Sequence, residues 1–352
     1  MNNSFFDTMA NDIQNANISD SEKQKLMSNL FELKSKKINI MITGATGCGK
    51  SSTINALFNK ELAKVGVGAD PETMDIQRYD YNNLVLWDSP GLGDGKEADR
   101  RHAKNIIAKL NELDENGNPL IDLVLVILDG GSRDLGTSYE LINQVIIPNL
   151  GEDKSKRILI AINKCDMAMS GRHWNETENR PDEVLTKFLE DKILSVKRRI
   201  KEGTGIDVEP IYYSAGFTDP YDDTELQTPP YNLSKLLYYM VMCTPKEKRL
   251  TYVDNLNNDE TMWKDDDDLK DYREEVRQSF AETVYDSFSD GVDTGSDIGG
   301  AIGSIFGSTG EKIGRFAGGL VGGAAGGLIG IFKAVKDRCS HRSGGGFFGG
   351  WF

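Results

Sequence analysis

The sequence predicts an α/β fold: a mostly parallel central sheet flanked by helices, with helical extensions at both ends. Three observations predict it. The near-continuous apolar runs LVLVIL at 123–128 and ILIAIN at 158–163 read as strands buried on both faces of a parallel sheet. Stretches of helical periodicity alternate with such runs between residues 37 and 245, the pattern of repeated βα units. A glycine-rich loop, GATGCGKS at 44–51, directly follows the apolar run INIMIT and leads into the helix-compatible SSTINALF.

In chain order, residues 1–36 read as an N-terminal helical segment. Leu26, Leu30 and Leu33 fall at helical spacing after a capping-type start at Ser19 and Asp20. The domain at 37–245 carries strands at 38–43, 84–88, 123–128, 158–163 and 210–214. Residues 246–297 form a charged helical extension, in which Val276, Phe280, Val284 and Phe288 recur every fourth position and mark an amphipathic helix. The aspartate run at 265–268 reads as a solvated helix start, because adjacent side chains on a helix point in different directions and cannot share a cation.

Residues 298–343 are glycine-rich. Gly310, Gly314, Gly318, Gly322, Gly326 and Gly330 keep a strict four-residue spacing, with Gly319, Gly323 and Gly327 in an adjacent row. Residues 344–352 end the sequence as a Gly/aromatic low-complexity tail.

Composition bounds the function. The formal net charge is −14, which argues against DNA or another nucleic acid bound by general electrostatics. The charge is uneven: from residue 298 onward, six basic residues (Lys312, Arg315, Lys333, Lys336, Arg338, Arg342) face two acidic ones (Glu311, Asp337). Cys48, Cys165, Cys243 and Cys339 have no framework spacing, and the N-terminal stretch has no apolar core of a signal peptide. A reducing, cytoplasmic setting is expected.

The chemistry concentrates in a few short motifs. Gly44, Ala45, Thr46, Gly47, Cys48, Gly49, Lys50 and Ser51 satisfy GxxxxGK[ST], with Ser52 following in the helix. Such glycines let backbone N–H groups curl around phosphate oxygens at a helix N-terminus. Lys50 is expected to bridge the β- and γ-phosphates and Ser51 to ligate Mg²⁺. Cys48 admits two readings, an oxidisable gate to the nucleotide or simply a small residue tolerated in the loop.

Asn163, Lys164, Cys165 and Asp166 end a later strand. A carboxylate at Asp166 accepts from guanine N1–H and the exocyclic amine, whereas adenine has no matching donors. Ser214 and Ala215, at the end of another strand, suit a loop whose backbone meets the guanine oxygen. Asp88, opening DSPG after LVLW, suits Mg²⁺ held through water, and the Gly91 N–H suits the γ-phosphate. Thr73, between the first loop and DSPG, is the candidate to complete the Mg²⁺ shell. His173 and Trp174 form either a partner-binding loop or a packing pair.

These motifs resemble those of Era/HSR1-like P-loop GTPases of the TRAFAC class. They are similar to prophage-type bacterial "50S ribosome-binding" GTPases and, more distantly, to the immunity-related GTPases. The resemblance covers 37–245. It implies a P-loop GTPase domain that binds GTP or GDP with Mg²⁺ and hydrolyses GTP, with Lys50, Thr73 and Gly91 as the catalytic set. Ras-like proteins follow the DxxG glycine with a water-orienting glutamine. Here that position is Leu92, so another group must orient water. Asp94, Arg100, Arg101 and His102 stand nearby on what reads as a charged, solvent-facing helix, and intrinsic turnover is expected to be slow without self-association or a partner.

The tail adds a second expectation. Residues 316–332 are an apolar stretch at the lower limit for spanning a bilayer, and glycine every fourth residue permits close helix packing. Residues 298–306 carry a shorter version, and GSTGEK at 307–312 is expected to join the two as a helical hairpin. Residues 298–343 are thus expected to engage a membrane, the inner membrane in a bacterial setting, or to self-associate into a homo-oligomer. A ribosome-associated assembly role is the weaker alternative, since no basic RNA-binding extension is visible. A nucleotide-gated scaffold that does not hydrolyse is the third.

Overall fold

The computed structural model describes residues 4–58, 76–90, 95–132, 135–219, 222–291, 302 and 304–315. They divide into two compact units. One comprises residues 37–245 with 255–272; the other is built from the described parts of 1–36, 246–254 and 273 onward.

The first unit contains a six-stranded sheet: β1 (Ile38–Gly44), β2 (Gln77–Tyr81), β3 (Leu84–Asp88), β4 (Leu123–Asp129), β5 (Ile158–Asn163) and a short β6 (Ile211–Tyr212). Their order across the sheet is β2-β3-β1-β4-β5-β6. All neighbours are parallel except β2 and β3. β1, β4 and β5 are apolar on both faces because helices cover both, and their side chains are almost wholly buried.

The sequence reading did not contain β2. It is an edge strand of largely exposed, polar residues, turned back by Asn82 in the left-handed region (φ +50°). The last strand is shorter than the 210–214 expected, because Ser214 leaves the sheet to bridge Tyr231.

Helices α1 (Lys50–Leu57), α2 (Lys96–Leu110), α3 (Gly136–Glu140, continued as irregular helix), α4 (Glu183–Thr204) and α5 (Leu233–Cys243) complete this unit. Asp182 caps α4 by accepting from the N–H groups of Val184 and Leu185, and Gly205 ends it at φ +74°. α2 corrects one expectation. His102 is not on a solvent-facing surface: with Ile106 and Leu110 it forms the buried stripe of the helix, four residues apart, while Arg100 and Arg101 are exposed.

Residues 255–272 fold with the sheet, and the aspartate run within them is another correction. Asp267 pairs with Lys235 at 2.5 Å with both side chains nearly buried, and also accepts from the Tyr272 hydroxyl. Asp266 accepts from Ser234, and Asp265 from Asn179. The run is a loop held by Lys235, Tyr272, Ser234 and Asn179; the following helix starts only at Tyr272.

The second unit is helical: α6 (Phe5–Asn15), α7 (Asp20–Ser35), α8 (Tyr272–Phe288, with its first residue in the other unit) and α9 (Gly307–Arg315). α7 starts on a reciprocal capping box, Ser19 with Glu22, and buries Leu26, Leu30 and Leu33 as their spacing requires. Asp254 caps α6 through the Phe5 N–H and the Ser4 hydroxyl.

Val276, Phe280, Val284 and Phe288 are all fully buried, and the Phe288 ring packs on Phe306 at 4.8 Å. GSTGEK is not a connecting turn. It opens α9, whose Thr309 donates both its N–H and its hydroxyl to Asp12 while Ile313 is buried. Residues 316–352, and with them most of the glycine rows, lie outside the described residues. Among the described residues no helix is long and apolar enough to cross a membrane.

Candidate functional site

The candidate site forms where the parallel strands end. β1 runs into the loop at 44–49, and α1 leaves it at Lys50. Two glycines are required by close approach. A Cβ on Gly44 (φ +151°) would lie 2.2 Å from the Ile127 carbonyl oxygen, and one on Gly49 (φ +91°) 2.2 Å from Asn163 Nδ2.

Ala45, Thr46 and Gly47 are partly or fully exposed at the loop's crest, and Ser51 and Ser52 are half-buried in the first turn of α1. Lys50 Nζ reaches back over the loop to the carbonyls of Gly44 and Ala45 at 3.3 and 3.4 Å. Bonds this long are weak, so the ammonium is available to an incoming anion. Cys48 is fully buried beneath the loop, and burial raises its thiol pKa. That environment disfavours the reactive thiolate and supports the reading of a small packed residue.

Asn163 joins three motifs. Its Nδ2 donates to the Cys48 carbonyl at 3.0 Å, and its Oδ1 accepts from the Ala215 N–H at 3.0 Å. Ala215 belongs to the loop whose backbone the sequence assigns to a guanine oxygen; here its N–H steadies Asn163. Ser214 accepts from the Gly216 N–H and bridges Tyr231 through its backbone.

Lys164, at φ +58°, spans the site to the Gly47 carbonyl at 2.6 Å and pairs with Asp129 at 2.9 Å. Asp166 Oδ1 is buried and has no hydrogen-bond partner among the described residues. A buried acceptor without a donor is costly, and it stands where the sequence placed guanine recognition.

Asp88 ends β3 in register with Ile42, one strand from the loop. Its Oδ1 is also buried without a described partner, and burial pushes its carboxyl pKa up to about 6 against the opposing effect of Lys50. A carboxylate in this condition fits a divalent cation, which would supply the missing partner and favour the charged form. Thr73, Gly91 and Leu92 lie outside the described residues.

The sequence reading missed two contributors. Asp129 and the Gly130-Gly131 pair end β4 beside Asn163, in register with it. Lys192 of α4 reaches the same turn. The signal in the sequence was DGG directly after a buried strand. Of His173 and Trp174 only the tryptophan packs, edge-to-face on Tyr231 at 5.3 Å; His173 is exposed, with its Nδ1 2.8 Å from Asp182.

Residues 39–164 match the family described as "50S ribosome-binding GTPase". Mouse interferon-gamma-inducible GTPase 10 is 27% identical over 191 residues, covering 51% of this chain and 40% of the relative. The Escherichia coli K12 protein YfjP is 29% identical over 163 residues, covering 45% and 52% respectively. YkfA of the same organism is 30% identical over 149 residues, covering 41% and 47%. The chain spans about half the length of the curated relatives it matches.

Proposed function

From the match of residues 39–164 to the family described as "50S ribosome-binding GTPase", we propose that this protein binds GTP and GDP and hydrolyses GTP to GDP and phosphate. The observation that carries the base assignment is the buried, unpartnered Asp166 Oδ1 beside the Asn163 bridge. That carboxylate accepts the guanine N1–H and exocyclic amine.

The backbone N–H groups at 45–51, with the N-terminus of α1 and the Lys50 ammonium, hold the β- and γ-phosphates. Mg²⁺, when bound, neutralises charge on the phosphate oxygens; Ser51 and Asp88 would hold it, with Thr73 as the further ligand. Leu92 offers no hydrogen bond to water, which supports slow intrinsic turnover, raised by self-association or a partner.

The nucleotide state gates engagement of a membrane or of a second copy through residues 298–343. The glycine rows and the local excess of basic residues support this reading.

Phosphate release from GTP and from ATP, compared on the full chain and on Lys50→Ala, tests the activity. The expected result is release from GTP only, reduced about 100-fold or more by the substitution, as for loss of a charge-assisted contact to the reacting phosphate. Equal release from ATP would overturn the base assignment. Nucleotide binding with no release, even at high protein concentration, would make the protein a nucleotide-gated scaffold.

For the tail, flotation with anionic liposomes is expected for the full chain and not for a chain ending at Arg315. The cut falls after α9 because α9 is fastened to Asp12. Equal flotation of both would sink the assignment to residues beyond 315.

A further inference from the structure

The turn after β4 holds the base-motif lysine from behind. Asp129 Oδ1 accepts the Gly131 N–H at 2.8 Å, while its Oδ2 pairs with Lys164 Nζ at 2.9 Å. Lys164 then extends to the Gly47 carbonyl, so a single ammonium links the phosphate loop to the turn.

The turn is itself clamped. Lys192 Nζ, projecting from α4, donates to the carbonyls of Gly130 at 2.6 Å and Ser132 at 3.0 Å, with that of Asp129 at 3.5 Å. On its other side the Gly130 N–H donates to the Asn163 carbonyl at 2.6 Å. A Cβ on Gly130 would stand 2.6 Å from that same oxygen, so the turn lies directly on the strand end that carries the base motif.

Magnitudes separate a positioning role from a stabilising one. Lys164 and Asp129 are 39% and 25% exposed, and a pair so accessible to water contributes at most about 1 kcal/mol to folding. Its geometric effect is larger. Lys164 has four rotatable bonds, and without Asp129 it must be ordered each time a nucleotide binds.

We propose that Asp129 and Lys192 are positioning residues that lock Lys164 across the phosphate loop and so set how slowly the guanine nucleotide leaves. This rests on the nucleotide reading above. Asp129 fixes the Lys164 ammonium directly. Lys192 acts one step further back, by fixing the turn that carries Asp129.

The test is the dissociation rate of a fluorescent GDP from the full chain, read alongside melting of the nucleotide-free protein. Failure of the unaltered protein to bind GDP would overturn the nucleotide reading itself, which separates that failure from one of this inference. Asp129→Asn keeps an acceptor for Gly131 but has no charge for Lys164, and about tenfold faster release is expected. Lys192→Met should speed release several-fold, and Lys192→Arg, which still donates to carbonyls, should recover much of the loss.

If Asp129 acts through Lys164, the Asp129→Asn, Lys164→Met double variant releases GDP no faster than Lys164→Met alone. Multiplying effects would overturn the inference. So would unaltered release in both Asp129→Asn and Lys192→Met, or lowered melting temperatures with unaltered release, which would mark the turn as purely structural.

Discussion

Asp166→Asn is expected to exchange guanine for xanthine as the preferred base. On the proposed reading the carboxylate would accept two hydrogen bonds, from guanine N1–H and the exocyclic amine, and its Oδ1 has no competing partner among the described residues. An amide in its place presents one donor to the amine, leaving two donors facing each other in a buried site. Each buried, charge-assisted bond lost is worth about 1.5–3 kcal/mol, so GDP affinity should fall by about 100-fold or more. Xanthine carries an oxygen where guanine carries the amine, so the amide can donate to it.

Titration calorimetry with GDP and XDP on both proteins measures the exchange. Equal losses of both nucleotides would show that Asp166 supports the loop without reading the base. The outcome bears on Asp166 alone, because Asn163 and Lys164 make their bonds to the phosphate loop independently of it.

The second large effect is on stability. Asp267→Ala should destabilise the sheet-containing unit by about 3–5 kcal/mol, because it leaves the Lys235 ammonium buried without its counter-charge. Lys235 and Asp267 are 10% and 7% exposed and 2.5 Å apart. The rings of Tyr212 and Tyr272 lie 5.4 and 5.8 Å from the ammonium and add only modest attraction. The melting temperature should drop by roughly 10 °C.

Lys235→Met combined with Asp267→Ala should recover a substantial part of that loss, since no unpaired charge then remains. A double variant as unstable as the single one would mean that the loop at 265–268 is held chiefly by Asn179, Ser234 and Asn232. The Asn232 side chain accepts from the Asp267 N–H and donates to Tyr212, so it is the strongest competitor for that role.

The strands at β1, β3, β4 and β5 were legible in the sequence because burial on both faces leaves little besides apolar side chains. The capping box at Ser19 and the four-residue stripe from Val276 to Phe288 were legible for a similar reason: local geometry alone fixes which residues must recur. β2 was not, because an edge strand of exposed residues needs no apolar pattern. Residues 265–268 misled, since four consecutive carboxylates read as solvated until Lys235, far away in sequence, is placed beside them. GSTGEK misled in the same way. Its glycines read as a turn, while Asp12 supplies a helix cap that local sequence does not show.

For the candidate site, the sequence by itself supplied the candidate groups. GxxxxGK[ST], DSPG and NKCD name the groups suited to phosphate, cation and base, since each needs a particular residue type at a fixed place after a strand. The tertiary structure decided how those groups are held. Asn163 ties the base motif to the phosphate loop and to Ala215, one carboxylate oxygen each of Asp166 and Asp88 is buried without a partner among the described residues, and Asp129 pairs with Lys164 while Lys192 holds the turn behind it. Spacing along a chain records which residues a motif contains. Only folding brings a lysine of α4 to the carbonyls of a turn sixty residues earlier.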